Sequence, residues 1–222
     1  VKITQKASAT DPNRLFNPYW MQTALDHLRD NNCRVVVTGF QLAVSYDNSF
    51  PYSLLYDYYA DTFDMIFANA AGNDHPTITI FGTAYNGITT GGLITTEPDV
   101  YRRIGFRSNP GPTTDERMKP DLSGPAQNLW VPTASSDAAW KNEGYNGETS
   151  WSAPHTAGVA ALLVEKANST AEPDDGRSVV IKAVMVNSAF PNILEKDGDS
   201  TTGQVWNEHR GYGRIDALRA LE

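Results

Sequence analysis

The chain has little cysteine and little positive charge, and both shortages exclude classes of protein. Its only cysteine, Cys33, can form no intrachain disulfide and supports no cysteine-based metal site. We expect this thiol to be a buried small apolar group. The 18 basic residues are outnumbered by 26 acidic ones, and no basic cluster is interleaved with aromatic side chains. Nucleic acid is therefore not an expected partner.

Long apolar runs and a recognisable start are also absent. No window of about 18 apolar residues occurs, so the sequence predicts no membrane span. The first residue, Val1, is neither an initiator methionine nor part of a signal-like region, which leads us to expect a processed, excised or truncated piece. Hydrophobic residues make up 40% of the 222 positions, enough for one core, and a single domain is predicted over residues 1–222.

The patterns that are present alternate helices with short buried strands. The predicted helices are Tyr19–Asn31, Leu54–Phe63, Ser150–Ala167 and Arg177–Ser188, with a short one after Gly213. The predicted strands are Arg34–Thr38 and Asp64–Ala68, followed by strand and turn signals over Thr77–Gly92. The segment Arg107–Pro132 predicts a long ordered loop. This alternation indicates an α/β fold with a mostly parallel sheet.

Two stretches contain residues suited to catalysis. Gly147–Gly158 reads GETSWSAPHTAG and leads into an apolar helix. A serine at such a start, here Ser150, can act as a nucleophile because the free N–H groups and the helix dipole favour negative charge there. The commoner use of Thr149 or Ser150 at this point is a helix N-cap. In the second stretch Asn73 follows a predicted strand, where asparagine is most often a turn residue, although its amide can donate two hydrogen bonds.

Four ordered segments resemble the subtilisin-like serine proteases, or subtilases. The segment GETSWSAPHTAGVAALL resembles the nucleophile segment of that family. Three others agree with family segments in order and spacing: FANAAGND, FRSNPGPTTDERMKPDLSGPAQNLWVPTA and RGYGRIDALRALE. The resemblance covers Trp20 to Glu222. It implies the C-terminal portion of a subtilase catalytic domain, with a mostly parallel sheet and helices on both faces.

The resemblance also implies roles for individual residues. Ser150 is the implied nucleophile and Asn73 the side-chain donor of the oxyanion hole, assisted by Thr149. An extended substrate is implied beside Val35–Gln41. The implied walls of the pocket for the residue before the cleaved bond are Gly39, Phe40, Gln41, Ala70, Ala71 and Gly72. The implied partners are a polypeptide substrate, a pro-segment and the N-terminal part of the domain, and the implied location is extracellular or in the cell envelope.

The sequence lacks the D-S/T-G and H-G-T segments that supply the family's triad Asp and His. Of the four histidines, His155 lies five residues after Ser150 on one helix and faces elsewhere, while His75 is a candidate for lining a substrate subsite. We therefore predict that the triad Asp and His lie upstream and that this piece alone is inactive. The alternatives are an inactive interaction protein of subtilase fold and another serine hydrolase, although the G-x-S-x-G elbow of α/β-hydrolases is absent.

Two further features depart from the family or bear on metal binding. Glu148 replaces the usual glycine before Thr-Ser, where its carboxylate is expected to disfavour the oxyanion or to select basic substrate groups. The segment Asp197–Ser200 is rich in oxygen ligands but lacks the full spacing of a calcium loop, so a solvated turn is favoured and no metal ligand is assigned. Calcium remains a cofactor that the family resemblance suggests.

Overall fold

The computed structural model describes residues 17–41, 50–201 and 203–222; the start at Val1 lies outside them. The helices are α1 Pro18–Asp30, α2 Pro51–Phe63, α3 Thr149–Ala167, α4 Ser178–Ser188 and α5 Ala217–Leu221. The strands are β1 Val35–Thr38, β2 Ile66–Ala70, β3 Ile88–Glu97, β4 Val100–Ile104, β5 Leu122–Pro125, β6 Leu129–Pro132 and β7 Trp140–Glu143. Within these described ranges no helix is both long and apolar enough to cross a membrane.

Five of the strands form one mixed sheet that is mostly parallel. β1 pairs with β2, β2 with β3 and β3 with β5, all in parallel, and only β4 runs antiparallel, along the second half of β3. β6 and β7 form a separate antiparallel pair. The parallel strands end on one edge of the sheet, which is where α/β proteins place their sites. The predicted α/β class is confirmed.

Helices cover both faces of the sheet because β2 alternates its side chains between two cores. Ile66 packs in a cluster with residues of α3, α4 and α5, and the next residue, Phe67, packs with residues of α1 and α2. On that second face Phe67 stacks on Tyr56 with ring centroids 4.2 Å apart. Both residues of the strand are fully buried, so each face of the sheet has its own apolar contact layer.

Some predicted boundaries and environments were wrong. The segment Arg107–Pro132 is not only a loop, because it contains β5 and β6. The sequence pattern did not predict β5, because glycine and proline make up half of its sequence, LSGP. The strand nevertheless pairs with the centre of β3. Within Thr77–Gly92 the regular strand begins only at Ile88. Cys33 is half-buried rather than buried. It follows the end of α1, and its thiol lies 4.0 Å from the Asn31 carbonyl oxygen.

A buried cluster of charges joins β3, β5 and α4 at the opposite edge of the sheet. Lys119 Nζ lies 2.6 Å from Asp121 Oδ2, and Lys182 Nζ lies 3.1 Å from Asp121 Oδ1. Both ammonium groups also donate to the Gly87 carbonyl, while the Thr89 N–H donates to Asp121 at 2.7 Å. Burial lowers the pKa of Lys119 to about 7. Burial opposes ionisation of Asp121, but the two lysines outweigh it and hold the pKa of this carboxyl below its usual range.

Replacing Asp121 with asparagine is expected to lower the free energy of unfolding by about 3–5 kcal/mol, because it leaves buried lysines without their counter-charge. Chemical denaturation of the intact protein, followed by tryptophan fluorescence, measures the change. Asp30→Asn is the matched control, since Asp30 pairs with Arg29 on the surface of α1, and its free energy of unfolding should stay nearly unchanged. Equal denaturation midpoints for Asp121→Asn and the wild type would contradict the expectation.

Candidate active site

Ser150 lies at the start of α3 and is partly exposed. Glu148 occupies the N-cap position with an extended backbone, so Thr149 and Ser150 are the first two helical residues. The interpretation of Thr149 or Ser150 as the N-cap is therefore wrong. Among the described residues, neither Oγ nor the backbone N–H of Ser150 makes a hydrogen bond. The hydroxyl thus stands beside its own unpaired N–H, at the end of the helix where negative charge is favoured.

The loop that leads into α3 is pressed against the sheet through glycines. Gly147 has a φ of +82°, a conformation that other residues rarely adopt. A Cβ added to Gly92 would lie 2.2 Å from the Gly147 oxygen, and one added to Gly105 would lie 2.5 Å from Gly147 Cα. One turn into the helix, the buried Ser152 hydroxyl donates to the Gly91 carbonyl at 2.7 Å. These contacts fix the approach of the helix start to the middle of β3.

Asn73, which follows the end of β2, faces the residue beside Ser150. Its Oδ1 accepts hydrogen bonds from the Thr149 N–H at 2.8 Å and from Thr149 Oγ1 at 3.1 Å. The same hydroxyl accepts from the Gly72 N–H at 3.1 Å. Because both Thr149 groups act as donors, they fix the orientation of the amide and turn Nδ2 away from them. In the part of the chain that the structure describes, Nδ2 donates no hydrogen bond, so it is available to a ligand.

The backbone of Asn73 is held by Gln41. Gln41 Oε1 accepts from the Asn73 N–H, and Gln41 Nε2 donates to the Asn73 carbonyl at 3.1 Å. The preceding Gly72 has a φ of +103°, and a Cβ there would lie 2.5 Å from both Asn109 Nδ2 and Thr79 Oγ1. The strand end that carries Asn73 is therefore fixed on several sides.

The other predicted substrate-binding residues lie at the ends of β1 and β2. A Cβ added to Gly39 would be 3.3 Å from the Ser150 carbonyl oxygen, which places this backbone directly beside the helix start. Phe40 is 36% exposed, whereas the side chains of Ala70 and Ala71 are buried. The structure thus brings the two predicted walls and Ser150 to one edge of the sheet. Their contact with substrate stays a prediction.

A charged cluster that the sequence did not indicate lies next to the segments of Asn73 and Ser150. Arg107 Nη1 donates to Glu148 Oε1 at 3.0 Å, and Arg107 Nε donates to Asp74 Oδ2 at 2.8 Å. The hydrogen bond from Arg107 holds the pKa of Asp74 below its usual range. Burial opposes ionisation of Glu148, but backbone N–H groups and Arg107 together lower the pKa of that carboxyl as well. No local pattern indicates the cluster, because its members are 33 and 41 residues apart.

All four histidines of the chain lie in the described ranges, and none of them hydrogen-bonds to Ser150. His155 is exposed, and its Nδ1 donates to the Trp151 carbonyl at 2.9 Å. His209 pairs with Glu195 at 2.9 Å. His27 is exposed on α1, and the backbone N–H of His75 donates to a neighbouring asparagine. These positions contain no imidazole that activates the serine.

The described residues contain no group of three or more His, Cys, Asp or Glu side chains that could hold a metal ion. In the oxygen-rich segment, Asp197 Oδ1 accepts from the Asp199 N–H at 3.1 Å. This is a local turn in which a carboxylate bonds its own backbone. The calcium interpretation stays an expectation.

Comparisons with known proteins identify the family of the chain. A model of the subtilase family matches residues 4–213. The chain belongs to the subtilase family. This subtilase is 30% identical over 206 residues to pyrolysin of Pyrococcus furiosus, an alignment that covers 79% of the chain and 14% of pyrolysin. It therefore spans a small part of that curated relative.

Two solved structures show the same fold. The patellamide maturation protease PatA superposes with a TM-score of 0.71 and 16% identity, covering 96% of the subtilase and 70% of that chain. Fervidolysin from Fervidobacterium pennivorans, described as a keratinolytic enzyme related to subtilisin, gives a TM-score of 0.65 and 18% identity over 94% of the subtilase and 29% of that chain. At these identities the likeness shows the fold alone, and the predicted subtilisin-like architecture is confirmed.

Proposed function

We propose that this subtilase is a serine endopeptidase that hydrolyses peptide bonds through an acyl-enzyme on Ser150. Ser150 Oγ attacks the scissile carbonyl, and Asn73 Nδ2 and the Ser150 N–H stabilise the oxyanion that forms. One observation carries the proposal. Thr149 donates to Asn73 Oδ1 through both its N–H and its hydroxyl, so Asn73 Nδ2 is turned away from Thr149. Among the described residues, Asn73 Nδ2 and the Ser150 N–H are then two donors without partners on neighbouring segments.

The attack also requires a base that removes the Ser150 proton and returns it to the leaving amine, with a carboxylate to orient that base. Since no histidine of the chain hydrogen-bonds to Ser150, we propose that the triad His and Asp belong to residues upstream of this chain. The 222 residues alone are then inactive. Water, activated by the same base, hydrolyses the acyl-enzyme and regenerates the hydroxyl.

The proposed substrate is an extended polypeptide that lies beside β1 and the residues after it, Gly39–Gln41. Gly39 is adjacent to Ser150, and Gln41 holds the backbone of Asn73, so a chain bound there meets both catalytic groups. The fold relatives described as a maturation protease and a keratinolytic enzyme support a polypeptide substrate. An extracellular or cell-envelope location and a pro-segment are proposed from family membership alone.

The full-length protein tests this function on denatured casein. We expect cleavage at internal bonds, seen as new peptide N-termini by mass spectrometry, and its loss after treatment with phenylmethylsulfonyl fluoride. Binding of casein without any cleavage would favour the alternative, an inactive interaction protein of subtilase fold. Cleavage that resists the reagent would contradict the acyl-enzyme on serine.

Thr149→Val is expected to lower kcat of the full-length protein about 10-fold, with KM nearly unchanged, because the buried hydroxyl orients Asn73 through one hydrogen bond. Steady-state kinetics on a quenched fluorescent peptide measures the effect. Thr149→Ser keeps the hydroxyl and should retain most of kcat. A valine variant as fast as the wild type would show that the Thr149 hydroxyl does not orient the amide.

A further inference from the structure

Arg107 connects the two segments that carry the proposed oxyanion-hole donors. Its guanidinium bonds Asp74, the residue directly after Asn73, and Glu148, two residues before Ser150. The contacts use different nitrogens of the planar group, Nε and Nη2 toward Asp74 and Nη1 toward Glu148. A single rigid fork therefore spans the gap between both sides of the site.

Backbone hydrogen bonds place Arg107 between the same two segments. The Asp74 N–H donates to the Arg107 carbonyl at 3.0 Å, and the Arg107 N–H donates to the Asn146 carbonyl at 3.2 Å. The other oxygen of Glu148 accepts from the Asn146 N–H at 3.3 Å. Arg107 thus contacts the segment after β2 and the loop before α3 through both its backbone and its side chain.

The charge of Glu148 gives the arginine a second effect. The Glu148 side chain is only 17% exposed and lies close in sequence to Ser150. An unpaired carboxylate there would oppose the negative charge that develops on the substrate oxygen, since partial burial reduces screening. Its bond to Arg107 offsets this charge. Both oxygens of the Glu148 carboxylate have protein partners, Arg107 and the Asn146 N–H, and this argues against the expectation that Glu148 selects basic substrate groups.

We propose that Arg107 is a positioning residue of the oxyanion hole, which fixes the spacing between the Asn73 and Ser150 segments and neutralises Glu148. This inference rests on the proposed peptidase function. Arg107 is neither the proposed nucleophile nor a proposed oxyanion donor. Its bond to Glu148 explains how a carboxylate at the family's glycine position is compatible with oxyanion formation.

The test compares arginine variants of the full-length protein. Arg107→Met is expected to lower kcat about 10- to 100-fold with KM within about 3-fold, and to weaken a peptide aldehyde inhibitor by the same factor as kcat, since both depend on the hole. Adding Glu148→Gln to Arg107→Met should restore part of kcat, because it removes the unpaired charge. Arg107→Lys, which keeps the charge but not the fork, should have an intermediate kcat.

Arg29→Met is the matched control, because Arg29 also bridges two carboxylates, Asp26 and Asp30, on α1. Its kcat should equal that of the wild type. An Arg107→Met variant with wild-type kcat and aldehyde affinity would overturn the inference. A loss of kcat that is as large in Arg107→Lys, and that the added Glu148→Gln does not relieve, would overturn it as well. A wild-type protein without peptidase activity would instead overturn the proposed function on which the inference rests.

Discussion

Replacing Ser150 with alanine is expected to lower kcat of the full-length protein for peptide hydrolysis by about 10⁴- to 10⁶-fold, which is the cost of losing the nucleophile in a serine protease. The variant cannot form an acyl-enzyme, and only the oxyanion hole and substrate binding remain to assist attack by water. KM should change little, because the hydroxyl contributes little to binding of the ground state. Steady-state kinetics on a quenched fluorescent peptide measures the loss, with the concentration of each folded variant determined by absorbance.

The control for this variant is Ser152→Ala in the same helix. The Ser152 hydroxyl is buried and donates to the Gly91 carbonyl at 2.7 Å, so its loss affects packing against β3 rather than the chemistry. We expect Ser152→Ala to keep kcat within about 10-fold of the wild type while losing about 1 kcal/mol of stability. Full peptidase activity in Ser150→Ala would show that another residue is the nucleophile.

Asn73→Ala is expected to lower kcat about 10²- to 10³-fold, since it removes one of the two proposed donors of the oxyanion hole. Alanine also leaves the Thr149 N–H and hydroxyl without their shared acceptor, so it perturbs the structure as well as the chemistry. Asn73→Asp separates the two effects. Its carboxylate has the same shape and still accepts from Thr149, but it donates nothing and adds a negative charge beside the oxyanion.

We therefore expect Asn73→Asp to be at least as slow as Asn73→Ala, with a KM close to that of the wild type. The measurement is kcat and KM on the same peptide, with the folding of each variant followed by thermal unfolding. An aspartate variant that retains wild-type kcat would contradict the assignment of Asn73 as an oxyanion donor.

Much of the fold was predictable because its signals are local. The β-branched run at β1 and the apolar spacing of α1 and α3 mark elements whose bounds the structure moves by at most one residue. β5 was missed because LSGP lacks any strand pattern. Its strand geometry comes from pairing with β3, a contact between residues 32 positions apart such as Thr90 and Leu122.

The candidate site divides in the same way. Ser150 and Asn73 could be named as candidates because each lies in a short segment that resembles its family counterpart, and their roles stay predictions. From the sequence alone, an N-cap was the commoner interpretation of Thr149 or Ser150. The structure shows instead that Glu148 is the N-cap and that the Thr149 N–H donates to Asn73 Oδ1. Arg107 could not be predicted, since its bonds to Asp74 and Glu148 depend on how distant loops meet.

The most direct test of the central claim is covalent labelling of the full-length protein with a fluorophosphonate probe, followed by proteolysis and mass spectrometry of the modified peptide. The probe reacts with a serine only where a base and an oxyanion hole activate it. We predict one adduct, on Ser150, that is absent from Ser150→Ala and strongly reduced in Asn73→Asp. An unlabelled Ser150 in a folded full-length protein, or an adduct on a different serine, would contradict it.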